Sequence, residues 1–273
     1  MIFMKKIFPL ALIACMVLLA GCFDNAADGD HGAIDKSVNA KGDSTLYGLT
    51  CDGSSDSSIV FLPNSGGDPD TFNILPAIKN NKVFGSPATG DWVGLMLNPK
   101  NKREALMVID LDQLKGTWTY EVTPVLKKSN TMTTAQMEAQ IPDSIRSLVF
   151  IPREYGFTLK RHSKAQGVGF VMQTGNALAE SLVEYPPVPH YTKWSIFNGR
   201  LVLMHDTLDA RMKRIPDSKV KRTVADFVFL KDDTMALRIN SHIVGFHRQV
   251  NGFTANAKAQ KAANKIAAAD TVK

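Results

Sequence analysis

Short runs of alternating apolar and polar residues begin near residue 46, and turn-forming residues separate them. A period of two is typical of β-strands with one buried face. Ser58 to Leu62 is a β-branched and aromatic run that ends at Pro63, and Asn98 to Asn101 separates two further runs in the manner of a hairpin loop. Five or so such runs between residues 46 and 110 predict a small β-barrel.

The alternation resumes after residue 111 and predicts a longer antiparallel meander. Asn198-Gly199, the dipeptide most typical of two-residue hairpins, lies between two of these runs. A polar turn at Lys231-Asp232-Asp233 separates the next two. The predicted strands around these turns are 193–197 and 200–205, then 223–230 and 234–240, with 242–249 as the closing strand.

Both halves resemble known folds. The strand count of the first half is similar to an OB fold. In the second half, Gly116-Thr117-Trp118 resembles the opening of lipocalin-like domains, in which the tryptophan closes the bottom of the barrel and the glycine permits a tight entry. The fold class is therefore predicted to be all-β, with a small N-terminal OB-like barrel followed by a lipocalin-like antiparallel β-barrel. The lipocalin resemblance implies a small apolar ligand, although some members of that family have filled interiors.

The N-terminus has the pattern of an export signal. Lys5 and Lys6 precede an apolar stretch from Ile7 to Ala20, which is shorter than the roughly 20 residues that a membrane-spanning helix needs. Leu19-Ala20-Gly21-Cys22 resembles the lipobox of bacterial lipoproteins, in which the cysteine thiol receives lipid and the peptide is cut before it. This resemblance implies lipid attachment at Cys22 and a membrane as partner.

An acidic, apolar-poor stretch follows Cys22 and predicts a flexible tether over residues 22–45. Such a stretch resembles the surface-export signal of Bacteroidetes cell-envelope lipoproteins, and a plain solvated linker explains it equally well. We therefore expect an outer-membrane anchor, with exposure at the cell surface left open. The predicted divisions are a signal peptide 1–21, the tether 22–45, a small barrel 46–110, a lipocalin-like barrel 111–250 and an Ala/Lys-rich tail 251–273, for which we expect disorder.

Charge and cysteine content exclude several classes of protein. Removal of the signal with Lys5 and Lys6 takes the formal net charge from +6 to +4, which is too mild to suggest nucleic acid as a partner. Only Cys51 then remains as a free thiol, so the mature chain cannot form an internal disulfide or a site built from paired cysteines.

Motifs for catalysis and for cofactors do not occur. The chain has no Gly-x-Ser-x-Gly, no His-Glu-x-x-His and no phosphate-binding loop, so we expect neither enzymatic activity nor a cofactor. His205 and Asp206 at a strand end do not have the spacing of a known metal site. His242 and His247 are an odd number of positions apart and should face opposite sides of their strand. We therefore predict no metal site.

Two features remain as candidates for binding. Alternate residues of the late strands could line a cavity or fill the barrel: Phe227, Phe229, Leu237 and Ile239. A basic cluster between strands could contact an anionic lipid or glycan surface, or only keep a loop soluble: Arg211, Lys213, Arg214, Lys219, Lys221 and Arg222. The expected function is binding of a small apolar or amphipathic ligand, and the alternative is a scaffold that binds an envelope protein or glycan through its outer surface.

Overall fold

The computed structural model describes residues 41–128, 131–143, 146, 149–169, 182–206 and 220–249. The predicted signal peptide, Cys22 and the tail 251–273 lie outside these residues, as does the tether up to residue 40. Within the described ranges, none of the helices combines the length and the apolar character that crossing a membrane requires.

The N-terminal sheet has six strands. One short helix lies between two of them, and a second helix follows the last strand. The strands are β1 (Thr45–Thr50), β2 (Ser58–Pro63), β3 (Asp70–Asn73), β4 (Val83–Phe84), β5 (Trp92–Leu97) and β6 (Ala105–Asp110). Helix α1 (Leu75–Lys79) lies between β3 and β4, and helix α2 (Leu111–Leu114) leads out of β6.

The pairing of these strands is that of an OB-like barrel. Strand β1 pairs antiparallel with both β2 and β5, β2 pairs with β3, and β5 pairs with β6. A parallel bridge between Asn73 and Glu104 connects the end of β3 to the start of β6, so the five strands form a ring with α1 after the third strand. Strand β4 adds to β6 in parallel. Alternating residues such as Phe61, Leu95 and Val108 fill the centre.

Eight antiparallel strands form the second sheet, in the order β10-β9-β7-β16-β15-β14-β13-β12. Their bounds are β7 (Gly116–Val122), β9 (Arg153–Leu159), β10 (Ala165–Val168), β12 (His190–Phe197), β13 (Arg200–Asp206), β14 (Lys221–Lys231), β15 (Thr234–Ile239) and β16 (His242–Arg248). A bridge between Lys164 and Lys193 joins β10 and β12, the two edges of the sheet. The sheet is therefore a nearly closed lipocalin-like barrel, as predicted.

A small additional unit, with its own two-stranded sheet and its own apolar cluster, lies beside this barrel. Strands β8 (Val125–Leu126) and β11 (Val183–Glu184) pair with each other, and helix α3 (Thr134–Ala139) begins with a capping box formed by Thr133 and Gln136. Leu126, Ile141 and Val183 form its apolar cluster.

The N-terminal sheet packs against one end of the barrel, which we call the closed end and define by the turns at 160–164, 198–199 and 231–233. The Gly199 N–H donates to Thr45 Oγ1 at 3.0 Å, and the Tyr47 hydroxyl donates to the carbonyl of Ile196 at 2.9 Å. The N–H of Gly85 donates to the carbonyl of Leu230 at 2.8 Å. Apolar side chains of β4, β6 and α2 join the barrel core: Phe84, Ile109, Leu111 and Leu114.

The Gly-x-Trp motif closes this end in the predicted manner. Trp118 is fully buried, and its indole N–H donates to the carbonyl of Leu114 at 2.8 Å. The guanidinium of Arg248 lies 4.2 Å from the centroid of the Trp118 ring and donates to the carbonyls of Lys115 and Gln113. Gly116 has a φ of +131°, and a Cβ there would collide with that guanidinium. The glycine therefore permits both the backbone turn and the approach of Arg248.

Candidate functional site: the mouth of the barrel

The closed half of the barrel has no room for a ligand. Five inward-facing side chains have no exposed surface: Trp118, Leu201, Leu203, Met235 and Leu237. A side chain that borders a void as large as a water molecule would retain some accessible surface. This half of the barrel is therefore filled to the density expected of a protein core.

The opposite end, which we call the mouth, is less completely buried. We define it by the inward-facing residues Tyr120, Tyr191, His205, Ile239 and Val244, all of which are partly buried and come from five different strands. Its floor consists of Phe157 and Phe246, which are buried and belong to the core cluster below. An eight-stranded barrel can be filled by its own side chains or can hold one small ligand. Of the two ends of this barrel, the mouth is the one that could hold a ligand.

Aromatic rings line the mouth without a break. The centroid of Tyr120 lies 5.3 Å from that of Phe246, which lies 5.2 Å from that of Phe157. The Phe157 centroid lies 5.7 Å from that of Tyr191, whose ring is 5.8 Å from the imidazole of His205. Three of these four contacts are edge-to-face, the geometry that aromatic pairs prefer. The mouth therefore offers a rigid aromatic surface with polar tips.

Two tyrosine hydroxyls in the mouth have no hydrogen-bond partner among the described residues. Neither Tyr120 Oη nor Tyr191 Oη forms a hydrogen bond with a described residue, whereas Tyr155 Oη donates to the carbonyl of Pro186 at 2.9 Å. Burial raises the pKa of Tyr120, and burial together with the nearby Tyr120 raises the pKa of Tyr191 to about 12. Both phenols are thus neutral at pH 7 and can donate a hydrogen bond to a ligand.

His205 lies beside them as a neutral imidazole. Burial lowers its pKa, and the nearby ammonium of Lys221 lowers it further, while Asp206 acts in the opposite direction. Its Nε2 lies 3.4 Å from Thr223 Oγ1. Because adjacent residues of a strand point to opposite faces, the imidazole and the Asp206 carboxylate cannot share a metal ion. Among the described residues, no group of three metal-ligating side chains occurs.

The four predicted wall residues occupy three different environments. Phe227 and Leu237 lie in the filled half, where the Phe227 ring is 5.3 Å from that of Phe84. Ile239 lies in the mouth. Phe229 is 45% exposed on the outer face, because a β-bulge between Phe227 and Phe229 inserts one extra residue and reverses the alternation. The prediction that Phe227 and Phe229 share a face was therefore wrong. Phe227 and Leu237 lie where side chains fill the barrel, and the role of Ile239 in binding stays a prediction.

The predicted basic cluster falls mostly outside the described residues, since Arg211, Lys213, Arg214 and Lys219 are not among them. The two described members begin strand β14. Lys221 pairs with the inward-facing His205 and so lies on the inner face at the rim, while Arg222 is its outward-facing neighbour. Cys22, the predicted lipid-attachment residue, also lies outside the described residues.

The sequence pattern did not single out Tyr120 or Tyr191, and it singled out His205 only as a possible metal ligand. Tyr120 is two positions after Trp118 on one strand, and His205 is two positions after Leu203 on another. That alternation was sufficient to predict that both point inward. Tyr191 was harder to predict, because a bulge between Tyr191 and Lys193 shifts its register relative to Trp194.

Comparison with known proteins gives one weak structural neighbour. It is a lipocalin-like protein from Bacteroides thetaiotaomicron VPI-5482, with 13% sequence identity over 50% of this chain and 95% of the other, and a TM-score of 0.24. No family model matches the chain, and no curated protein matches it. A likeness at this level supports no inference on function, so the assignment of a lipocalin-like barrel rests on the strand order and on the packing around Trp118.

Proposed function

We propose that this protein is a non-enzymatic, lipid-anchored lipoprotein of the bacterial cell envelope that binds a small amphipathic molecule in the mouth of its barrel. The observation that supports binding is the contrast between the two ends. One end is filled, and the other presents an aromatic floor, aliphatic walls and two tyrosine hydroxyls without a hydrogen-bond partner among the described residues. Binding sites of this kind combine apolar surface with a few polar groups that orient the ligand.

Adjacent residues of strand β16 provide a matched test. Val244 faces the mouth, while Ile243 is 59% exposed on the outer face. Val244→Gln places an amide among apolar and aromatic groups, where an unsatisfied polar group costs about 1 to 3 kcal/mol. We expect calorimetric titration with 1-decanol to show binding by the native protein and a loss of affinity of about tenfold or more in Val244→Gln.

Ile243→Gln is the control and should bind 1-decanol as the native protein does. Circular dichroism verifies that both variants fold. Absence of binding by the native protein, or an equal loss in the two variants, would contradict the proposal.

The anchor is tested separately from the ligand. The proposal expects metabolic labelling with palmitate to mark the native chain and to fail in Cys22→Ala, because lipid is attached through the thiol. Undiminished labelling of Cys22→Ala would exclude this cysteine as the attachment site, whatever the result of the decanol titration.

A second candidate function is supported by apolar residues on the outside of the barrel. Val224, Phe229 and Ile243 are all exposed on β14 and β16, and exposed apolar groups on an outer face can contribute to binding a protein or glycan partner in the envelope. In that case Ile243→Gln and Phe229→Gln would abolish recruitment of the partner, and Val244→Gln would not.

A further inference from the structure

At the mouth end of the described strands, the charged residues that face inward are basic, whereas the acidic residues face outward. Two charged residues occupy inward-facing positions at this end of the described strands, and both are basic: Arg153 at the start of β9 and Lys221 at the start of β14. The acidic residues at the same strand ends, Glu121, Glu154 and Asp206, alternate with inward-facing neighbours and so point outward.

Neither of these inward cations has an anionic partner in the described part of the chain. The guanidinium of Arg153 lies 3.5 Å from the centroid of the Tyr185 ring, and its Nε is buried without a hydrogen bond. Lys221 lies opposite His205, which is neutral, and forms no ion pair with a described residue. In contrast, Arg200 on the outer face pairs with Asp226 at 2.5 Å. The outward-facing Arg200 therefore has a carboxylate partner, whereas the two inward cations have none among the described residues.

Charge of one sign beside apolar walls attracts the opposite charge more strongly than it would in bulk water. Lys221, His205 and Tyr191 lie on the adjacent strands β14, β13 and β12, so they form one side of the rim. Arg153 lies on the opposite wall and adds to the positive potential without contacting the same group. The ammonium of Lys221 and the hydroxyl of Tyr191 are both donors that suit the oxygens of an anion.

From this arrangement we infer that the ligand is an amphiphile with one negatively charged head group, held at the Lys221 side of the rim while its apolar tail lies on Phe157 and Phe246. The inference rests on the proposed function, since it assumes that the mouth binds a ligand. A neutral amphiphile would fill the same apolar surface but would gain nothing from the inward cations.

Lys221 and Arg222 make a matched pair for the test, because they are adjacent and exposed basic residues that face opposite sides of β14. Sodium decanoate and 1-decanol are compared by calorimetric titration of the full chain at pH 8. A hydrogen bond to a charged group is stronger than one between neutral groups, so we expect decanoate to bind the native protein about tenfold more tightly than decanol. Lys221→Gln should remove that tenfold advantage of decanoate over decanol, and Arg222→Gln should leave both affinities unchanged.

The outcomes separate the two claims. If decanol binds as tightly as decanoate, or if Lys221→Gln and Arg222→Gln weaken decanoate equally, the inference about the head group is overturned and the proposed function stands. If neither compound binds, the proposed function fails as well.

Discussion

The two ends of the barrel differ in how completely their side chains are used, although the same strands build both. Strand β7 contributes Trp118 to the closed end and Tyr120 to the mouth, and β15 contributes Leu237 and then Ile239. At the closed end the Trp118 indole has a hydrogen-bond partner and a stacked guanidinium. In the mouth the Tyr120 hydroxyl has no partner among the described residues. A step of two residues along one strand thus separates a structural position from a position available for binding.

The difference follows from what is packed against each end. Side chains of the N-terminal sheet, such as Phe84 and Ile109, pack into the core cluster at the closed end. They fill space there that the side chains of the eight barrel strands do not fill. The small N-terminal barrel therefore stabilises the larger one at the closed end.

The largest expected effect is on stability at the closed end. Leu237→Ala removes a fully buried side chain and should lower the free energy of unfolding by about 4 kcal/mol, whereas Ile239→Ala, two positions further on the same face, should cost about half as much. Urea denaturation measures both values. Equal losses would mean that the mouth is packed as densely as the closed end.

The next effect concerns the arginine that seals the closed end. Arg248→Met keeps apolar contact with Trp118 but leaves the carbonyls of Lys115 and Gln113 without their donor, so we expect a loss of about 2 kcal/mol. Arg248→Lys should recover only part of this loss, because an ammonium lacks the planar fork of the guanidinium. Decanol binding in the mouth should not change in either variant, and a large change would show that the two ends are coupled.

The smallest effect is a pH dependence that originates in the mouth. Because burial lowers the pKa of His205 below its ordinary value of about 6.5, the unfolded chain binds a proton more readily than the folded one. The contribution of this residue to stability is therefore complete above about pH 6.5 and declines as the pH falls below that value. Unfolding measured between pH 7.5 and pH 5.5 should show a shallower decline in His205→Gln, and identical slopes would contradict the predicted burial.

Local patterns predicted much of the fold because their physical causes are local. Asn198 and Gly199 have φ of +49° and +70°, which few other dipeptides tolerate, so the hairpin could be placed from these two residues alone. The Gly-x-Trp motif likewise predicted where the barrel begins. Its partner Arg248 could not be predicted, because the contact joins two strands that are adjacent only after the sheet has formed.

The candidate site was less predictable for two physical reasons. The bulge beside Phe227 breaks a period of two that the sequence pattern continues through Phe229, so Phe229 was assigned to the wrong face. Tyr191 and His205 lie opposite each other in the β12–β13 hairpin, whereas only closure of the barrel brings Tyr120 near them. Alternation indicates which residues point inward, but it does not indicate at which end the inward-facing side chains are less completely buried.

The central claim is that the mouth and not the closed end binds a ligand. NMR signals of methyl groups at the two ends of the barrel and on its outer face offer the most direct test. In a protein with labelled Ile, Leu and Val methyls, titration with decanoate should shift the NMR signals of Ile239 and Val244. The signals of Leu201, Leu203 and the outward-facing Ile243 should remain unchanged. Shifts at Leu201 and Leu203, or at Ile243 alone, would contradict the account.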